Sequence, residues 1–172
     1  KLAPAACDLV WAPTAAEMYP PGFATRVVPA GAAEGLETDF RPHFFGGVAT
    51  VVGKLFIQCA PDFAFFGEKD YQQLLVVKRL ARDLDLGLDV IGVPTIREDD
   101  GLALSSRNAY LSPEQRKVAG NLNRVLRKVA DRAKAGTSIP QAEAEGAAAL
   151  LQAGFARVDY VAIRDAETLA AV

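Results

Sequence analysis

The chain has 172 residues, 51% of them hydrophobic, and its 19 Lys+Arg against 21 Asp+Glu leave a net charge near −2. That length can bury one sizeable core, or a core plus a small second domain, and the balanced charge excludes a broad field for nucleic acid or an acidic membrane. No apolar run approaches the roughly 20 residues a membrane span needs, and no basic-then-apolar leader is present, so the expectation is a cytoplasmic protein with no nucleic-acid or membrane partner.

In chain order, Lys1-Leu2-Ala3 lacks an initiator methionine and Cys7-Asp8-Leu9-Val10-Trp11 is already strand-like. With an end at Ala170-Ala171-Val172 that has no cap or polar tail, the sequence reads as a piece of a longer chain. A turn-rich loop follows from Thr14 to Gly22, then a short strand over Phe23–Val28, then a Gly- and Pro-punctuated irregular stretch, Pro29–Phe45. Val48, Val51, Val52, Leu55, Phe56 and Cys59 form an apolar helical stripe with Thr50 and Lys54 off it. Cys7 and Cys59, the only cysteines, both sit in apolar sequence. Two buried thiols are expected there rather than a disulfide, as in a reducing compartment.

Asp62–Phe66 reads as a buried strand, Asp70–Leu84 as a helix stopped by Gly87, and Leu88–Val93 as the next strand. Strand, helix and strand with short links predict an α/β fold with parallel strands, whose ligands lie at the carboxyl ends of the strands. Ile96–Leu104 reads as a hairpin around Asp100-Gly101. Ser112-Pro113-Glu114-Gln115 opens a helix that runs to Gly136. Ala142–Leu151 is helical, and Val158–Ile163 alternates as a strand. A boundary near Ile96 divides residues 1–96 from a small α+β domain, 97–172.

Two runs carry the chemistry. Gly67-Glu68-Lys69-Asp70-Tyr71-Gln72-Gln73 puts a glycine, a lysine and free N–H groups at a strand-to-helix turn, where α/β proteins grip phosphate. Lys69 adds a point charge there, although a lysine between Glu68 and Asp70 is also an ordinary surface residue. Asp70 can cap the helix, or accept from a ribose hydroxyl or a metal-bound water. Gln72 and Gln73 can each donate to and accept from a hydroxy acid, and the residues alone do not choose between them. Leu104-Ser105-Ser106-Arg107-Asn108 concentrates two hydroxyls, a fixed charge and an amide, a set able to swing over phosphates, with Arg107 offsetting charge as pyrophosphate leaves. His43, the single histidine, lies in an irregular stretch where a structural or exposed role is the commoner one. No zinc-ligand cluster and no Cys–His pair is evident, so no protein metal site is assigned.

Phe66–Leu74, Gly92-Val93-Pro94-Thr95 and Asp100–Leu111, together with Glu17-Met18-Tyr19-Pro20 and Gly47–Val52, closely resemble the pantothenate synthetase (pantoate–β-alanine ligase) family over essentially the whole chain. The resemblance implies a Rossmann-like parallel sheet of the nucleotidyltransferase superfamily, here only its second half, plus the small C-terminal lid domain. It implies ATP-dependent joining of pantoate to β-alanine through a pantoyl-adenylate, releasing AMP and pyrophosphate, with Mg²⁺ and a homodimer. Carried over by position, Gly67, Glu68, Lys69, Asp70, Ile96, Leu104, Ser105, Ser106 and Arg107 would bind ATP. Lys69 and Arg107 would be catalytic, and Gln73 rather than Gln72 would bind pantoate. The family's N-terminal His-x-x-His motif and a further glutamine have no counterpart here, so the chain alone is expected not to turn over. Where many members read Arg-Pro-Gly-His-Phe, this chain has Arg41-Pro42-His43-Phe44-Phe45, and no catalytic role passes to His43. The rival readings are a phosphoryl transferase releasing ADP and a non-catalytic assembly domain.

Overall fold

The computed structural model describes residues 3–172. The Lys1-Leu2 start discussed above lies outside the described residues. The centre is a parallel pair, β1 (Phe63–Gly67) and β2 (Asp89–Val93), in the register Phe63↔Asp89, Phe65↔Ile91 and Gly67↔Val93. Between them runs α4 (Tyr71–Asp83), and before them α3 (Phe44–Cys59). The two helices share one core: Ala49, Val52 and Phe56 from α3 meet Val77, Leu80 and Ala81 from α4, with Ala64, Phe66 and Val90 of the sheet packed against them. This is an α/β architecture, and the βαβ order was legible because the helical and strand periods alternate cleanly.

The helix α3 begins earlier than the apolar stripe indicates, at Phe44, and buries more of its circumference. Thr50, expected off the stripe, is 5% exposed. It is accommodated because its hydroxyl donates to the Gly46 carbonyl at 2.7 Å and accepts from the Val27 N–H at 3.0 Å. That second bond ties residues 23–28 across the helix as an extended strap without a strand partner. The expected strands over Phe23–Val28 and Cys7–Trp11 are both absent, each lacking a neighbouring ladder to satisfy its backbone. Within the loop before the strap, Thr14 and Glu17 form a reciprocal capping box that folds α1 (Ala15–Met18), and Lys54 donates to the Met18 carbonyl while standing over the Phe23 ring at 4.6 Å. Within the stretch expected to be irregular lies a short α2 (Glu37–Phe40).

Cys7 and Cys59 are both free thiols, as expected, but both are exposed rather than buried. Cys59 is the last residue of α3, and Cys7 lies outside any helix or strand. Asp62–Phe66 is likewise not buried on both faces. Phe66 and Ala64 point into the core, whereas Phe63 and Phe65 are exposed beside Ile91 and Val93 on the opposite face.

Beyond β2 the expected hairpin is reduced to a single antiparallel bridge, Arg97↔Ala103, turning at Gly101 with φ +88°. The long helix from Ser112 is broken in two, α5 (Pro113–Ala119) and α6 (Asn121–Lys134), with Gly120 between them. α6 packs on α7 (Ile139–Gln152) through Val125, Val129, Ala142 and Leu150. The expected strand Val158–Ile163 is irregular chain, held by the Glu143 carboxylate, which accepts from the Ile163 N–H at 2.7 Å and pairs with Arg164. The C-terminal part is therefore helical with isolated bridges rather than α+β. It returns to the sheet domain where Tyr160 stacks on Phe40 and the Tyr71 hydroxyl donates to the Ala166 carbonyl at 2.9 Å. Among the described residues no helix is long and apolar enough to cross a membrane.

Candidate nucleotide site

Gly67 ends β1 in an extended conformation, and a Cβ built there would meet nothing within 4 Å. Neither strain nor packing demands glycine at this point; its effect is to leave the carboxyl edge of the strand open. Glu68, Lys69 and Asp70 then form one 3-10 turn before α4. Lys69 Nζ pairs with the Asp70 carboxylate at 3.0 Å, and both side chains are exposed. Asp70 stands at the N-cap position but makes no side-chain cap, so its capping reading gives way to the ion pair. An exposed pair of this kind contributes little stability, and the ammonium can exchange it for a phosphate at small cost. Glu68 folds back over β2: a Cβ at Gly92 would fall 3.1 Å from its carboxylate oxygen and 3.0 Å from Leu74. Gly92 therefore makes room for Glu68, a dependence that no local pattern announces.

The two glutamines separate clearly. Gln72 donates to the Ala32 and Gly35 carbonyls at 3.0 and 3.2 Å and accepts from the Glu37 N–H, stapling the 32–37 segment to α4. Gln73 makes no side-chain hydrogen bond among the described residues, and its amide is half-buried and uncommitted.

The second run is brought to the same edge by backbone pairing. Gly67 is in register with Val93, and three residues on, the Ile96 carbonyl accepts from the Leu104 N–H at 2.9 Å. Ser105, Ser106 and Arg107 follow directly. The Ile96 N–H makes no hydrogen bond among the described residues, and its carbonyl keeps a second lone pair beside the Leu104 N–H. The Ser105 oxygen accepts from the Arg107 N–H at 3.2 Å and starts a 3-10 turn, Ser106–Tyr110. Its hydroxyl proton remains free to donate, and Ser106 and Arg107 are exposed.

His43 precedes α3, exposed, and makes no side-chain cap. It borders a groove of about 760 Å³ with Tyr19, Phe23, Arg26 and Thr50. That groove contains none of residues 67–70, 96 or 104–107, so the site rests on strand-edge geometry and not on an enclosed cavity. Missed by sequence reading altogether was Arg116, whose guanidinium joins the hairpin acids Glu98 and Asp100 at 2.7 and 2.5 Å. Its partners are 16 and 18 residues away, beyond any local spacing rule.

A glycine–lysine turn at the strand edge, a glutamine one helical step behind it with no side-chain hydrogen bond among the described residues, and a serine–arginine loop hydrogen-bonded to the neighbouring strand exit occur together here. Residues 1–172 match the family described as Pantoate-beta-alanine ligase. The chain belongs to that family. Among curated relatives, pantothenate synthetase from Nitrobacter hamburgensis is 61% identical over 173 residues, covering 100% of this chain and 61% of its own length. The Caulobacter vibrioides enzyme is 57% identical, over 98% of this chain and 59% of its own. Pantothenate synthetase from Thermus thermophilus superposes with a TM-score of 0.91 at 52% identity, covering 99% of this chain and 62% of that one. A pantoate-beta-alanine ligase from Francisella tularensis, complexed with beta-gamma ATP and beta-alanine, superposes at 0.76 with 32% identity over 89% of this chain and 56% of that one. The chain thus spans about three fifths of the length of the pantoate ligases it matches.

Proposed function

We propose that this chain carries the nucleotide-gripping and part of the pantoate-binding machinery of an AMP-forming ligase that condenses pantoate with β-alanine. The observation that carries the reading is the Ile96–Leu104 hydrogen bond, which attaches the serine–arginine loop to the same sheet edge as Lys69. Gly67, Glu68, Lys69, Asp70, the Ile96 N–H, Leu104, Ser105, Ser106 and Arg107 hold ATP, and Gln73 binds pantoate; the commitment of Gln72 elsewhere supports that choice. A pantoate carboxylate oxygen attacks the α-phosphorus, and the bond to the β-phosphate breaks with its electron pair leaving on pyrophosphate. Lys69 and Arg107 offset the repulsion between the two anions. The β-alanine amine then attacks the activated carbonyl, AMP departs, and the amine loses a proton. Orientation in a closed cleft supplies much of that rate.

Among the described residues no three His, Cys, Asp or Glu side chains converge as a metal site. Brought by the triphosphate, Mg²⁺ would supply further neutralisation of the charge that develops as pyrophosphate leaves. Residues 1–96 form the second half of the nucleotide domain, and 97–172 the lid, whose own helical core supports the division. A homodimer and a cytoplasmic location complete the proposal, the latter supported by two free thiols.

Calorimetric titration of the chain with ATP tests the reading: saturable binding is expected, weakened by roughly tenfold or more in Lys69→Ala. Absence of binding would leave only an assembly role. In a polypeptide of the relatives' full length, pantoate and ATP should yield AMP and pyrophosphate, and ADP would instead establish a phosphoryl transferase. The 172-residue chain alone is expected to form no pantothenate.

A further inference from the structure

The loop that carries Ser105, Ser106 and Arg107 is an arc with both feet on one carboxylate. On its near side, Asn108 donates to Glu98 at 3.4 Å and to the Ala103 carbonyl at 3.0 Å. On its far side, the Arg116 guanidinium, one turn into α5, donates to Glu98 at 2.7 Å and forks onto both oxygens of Asp100 at 2.5 and 3.2 Å. The hairpin tip is itself seated on the helices. A Cβ at Gly120 would stand 2.5 Å from the Asp100 carboxylate, and one at Gly101 2.9 Å from the Asn123 amide. The break between α5 and α6 is thus the socket into which the tip fits. The backbone of the arc, by contrast, is closed by short-range bonds, Asn108 N–H to the Ser105 carbonyl and Leu111 N–H to the Asn108 carbonyl.

We propose that Arg116 is a positioning residue for the serine–arginine loop: by binding Glu98 and Asp100 together it holds the hairpin, α5 and the intervening arc in one arrangement, and so fixes where Arg107 can reach. The proposal rests on the ligase reading for the role of Arg107 but not for the arrangement itself. The planar fork is what allows one side chain to serve two acids, a geometry that a lysine point charge does not reproduce. Arg116 has no role in touching nucleotide; its effect passes through the loop.

Two measurements on the 172-residue chain decide it. In Arg116→Gln, amide hydrogen exchange at Arg107, Asn108 and Leu111 should quicken by about tenfold while the α3 and α4 amides, which report global folding, keep their wild-type rates. The milder Gly120→Ala, which displaces the Asp100 carboxylate without removing any charge, should quicken the same amides. ATP titrations of wild type, Arg116→Gln, Arg107→Ala and the double variant then form a cycle. Arg116→Gln should weaken ATP by about tenfold alone and by less than about twofold on the Arg107→Ala background. Arg116→Lys should recover only part of the loss. Unchanged exchange in the arc overturns the proposal, and so does a loss of affinity that adds fully to that of Arg107→Ala. If wild type binds no ATP while the arc still loosens in Arg116→Gln, the ligase reading fails and the positioning of the loop stands.

Discussion

Thr50 and Asp100 are small polar residues whose surroundings, more than their type, define their work. The Thr50 hydroxyl is buried between the strap and α3, accepting from Val27 and donating to Gly46. Thr50→Val keeps the shape but leaves the Val27 N–H without its partner, and a loss of about 1–3 kcal/mol in urea unfolding is expected. Asp100 is held below the ordinary carboxylate value by the Arg116 guanidinium and then by the Leu102 N–H. Its folded pKa lies below its unfolded one, so its contribution is complete above the unfolded value and disappears as pH falls through the folded value. The stability gap between wild type and Asp100→Asn should therefore be flat from neutrality to about pH 5 and close below about pH 4. Urea titrations across that range check it; a gap persisting undiminished at the acid end would mean that charge is not its source.

At the level of elements, glycines decide how closely things approach. Gly146 of α7 faces α6 so tightly that an added Cβ would lie inside van der Waals contact with Val129 and 3.2 Å from Val161. Gly146→Ala should lower stability by about 1–3 kcal/mol through overpacking, measured by thermal or urea unfolding, with ATP affinity unaltered in the molecules still folded. Such contacts also mark what the sequence could and could not disclose. α3, β1, α4 and β2 were readable because each repeats its own period and ends at a recognisable stop. The strap over Phe23–Val28 was not, since its Val27 N–H is taken by a threonine 23 residues away, a bond no periodicity encodes. Likewise the glycine–lysine turn of the candidate site was visible as a local run, whereas Glu68 leaning on Gly92 and Arg116 reaching Glu98 join residues far apart in sequence. Gln73 is favoured over Gln72 by resemblance alone at the sequence level, because the ties of Gln72 to Ala32 and Gly35 join residues that no local pattern connects.

At the scale of the whole molecule, the sheet is covered on one side only. Ala64, Phe66 and Val90 face the helices, while Phe63 and Phe65, 57% and 66% exposed, stand with Ile91 and Val93 on the other side. A contiguous apolar surface of that kind binds whatever apolar matter is offered. The chain should accordingly enhance the fluorescence of an anilinonaphthalene sulfonate dye while fully folded, and the pair Phe65→Ser and Ile91→Thr should remove most of that signal without altering ATP binding. A folded chain that leaves the dye dark would show that this face is closed in solution.

Trp11, the single tryptophan, donates its indole N–H to Gln58 near the end of α3 at 3.3 Å and is otherwise 57% exposed. Its emission is therefore a built-in optical gauge for that end of the helix. A blue shift and brightening on adding any macromolecule would report water leaving the indole, whereas nucleotide bound, as proposed, at the carboxyl ends of the strands should leave the spectrum still.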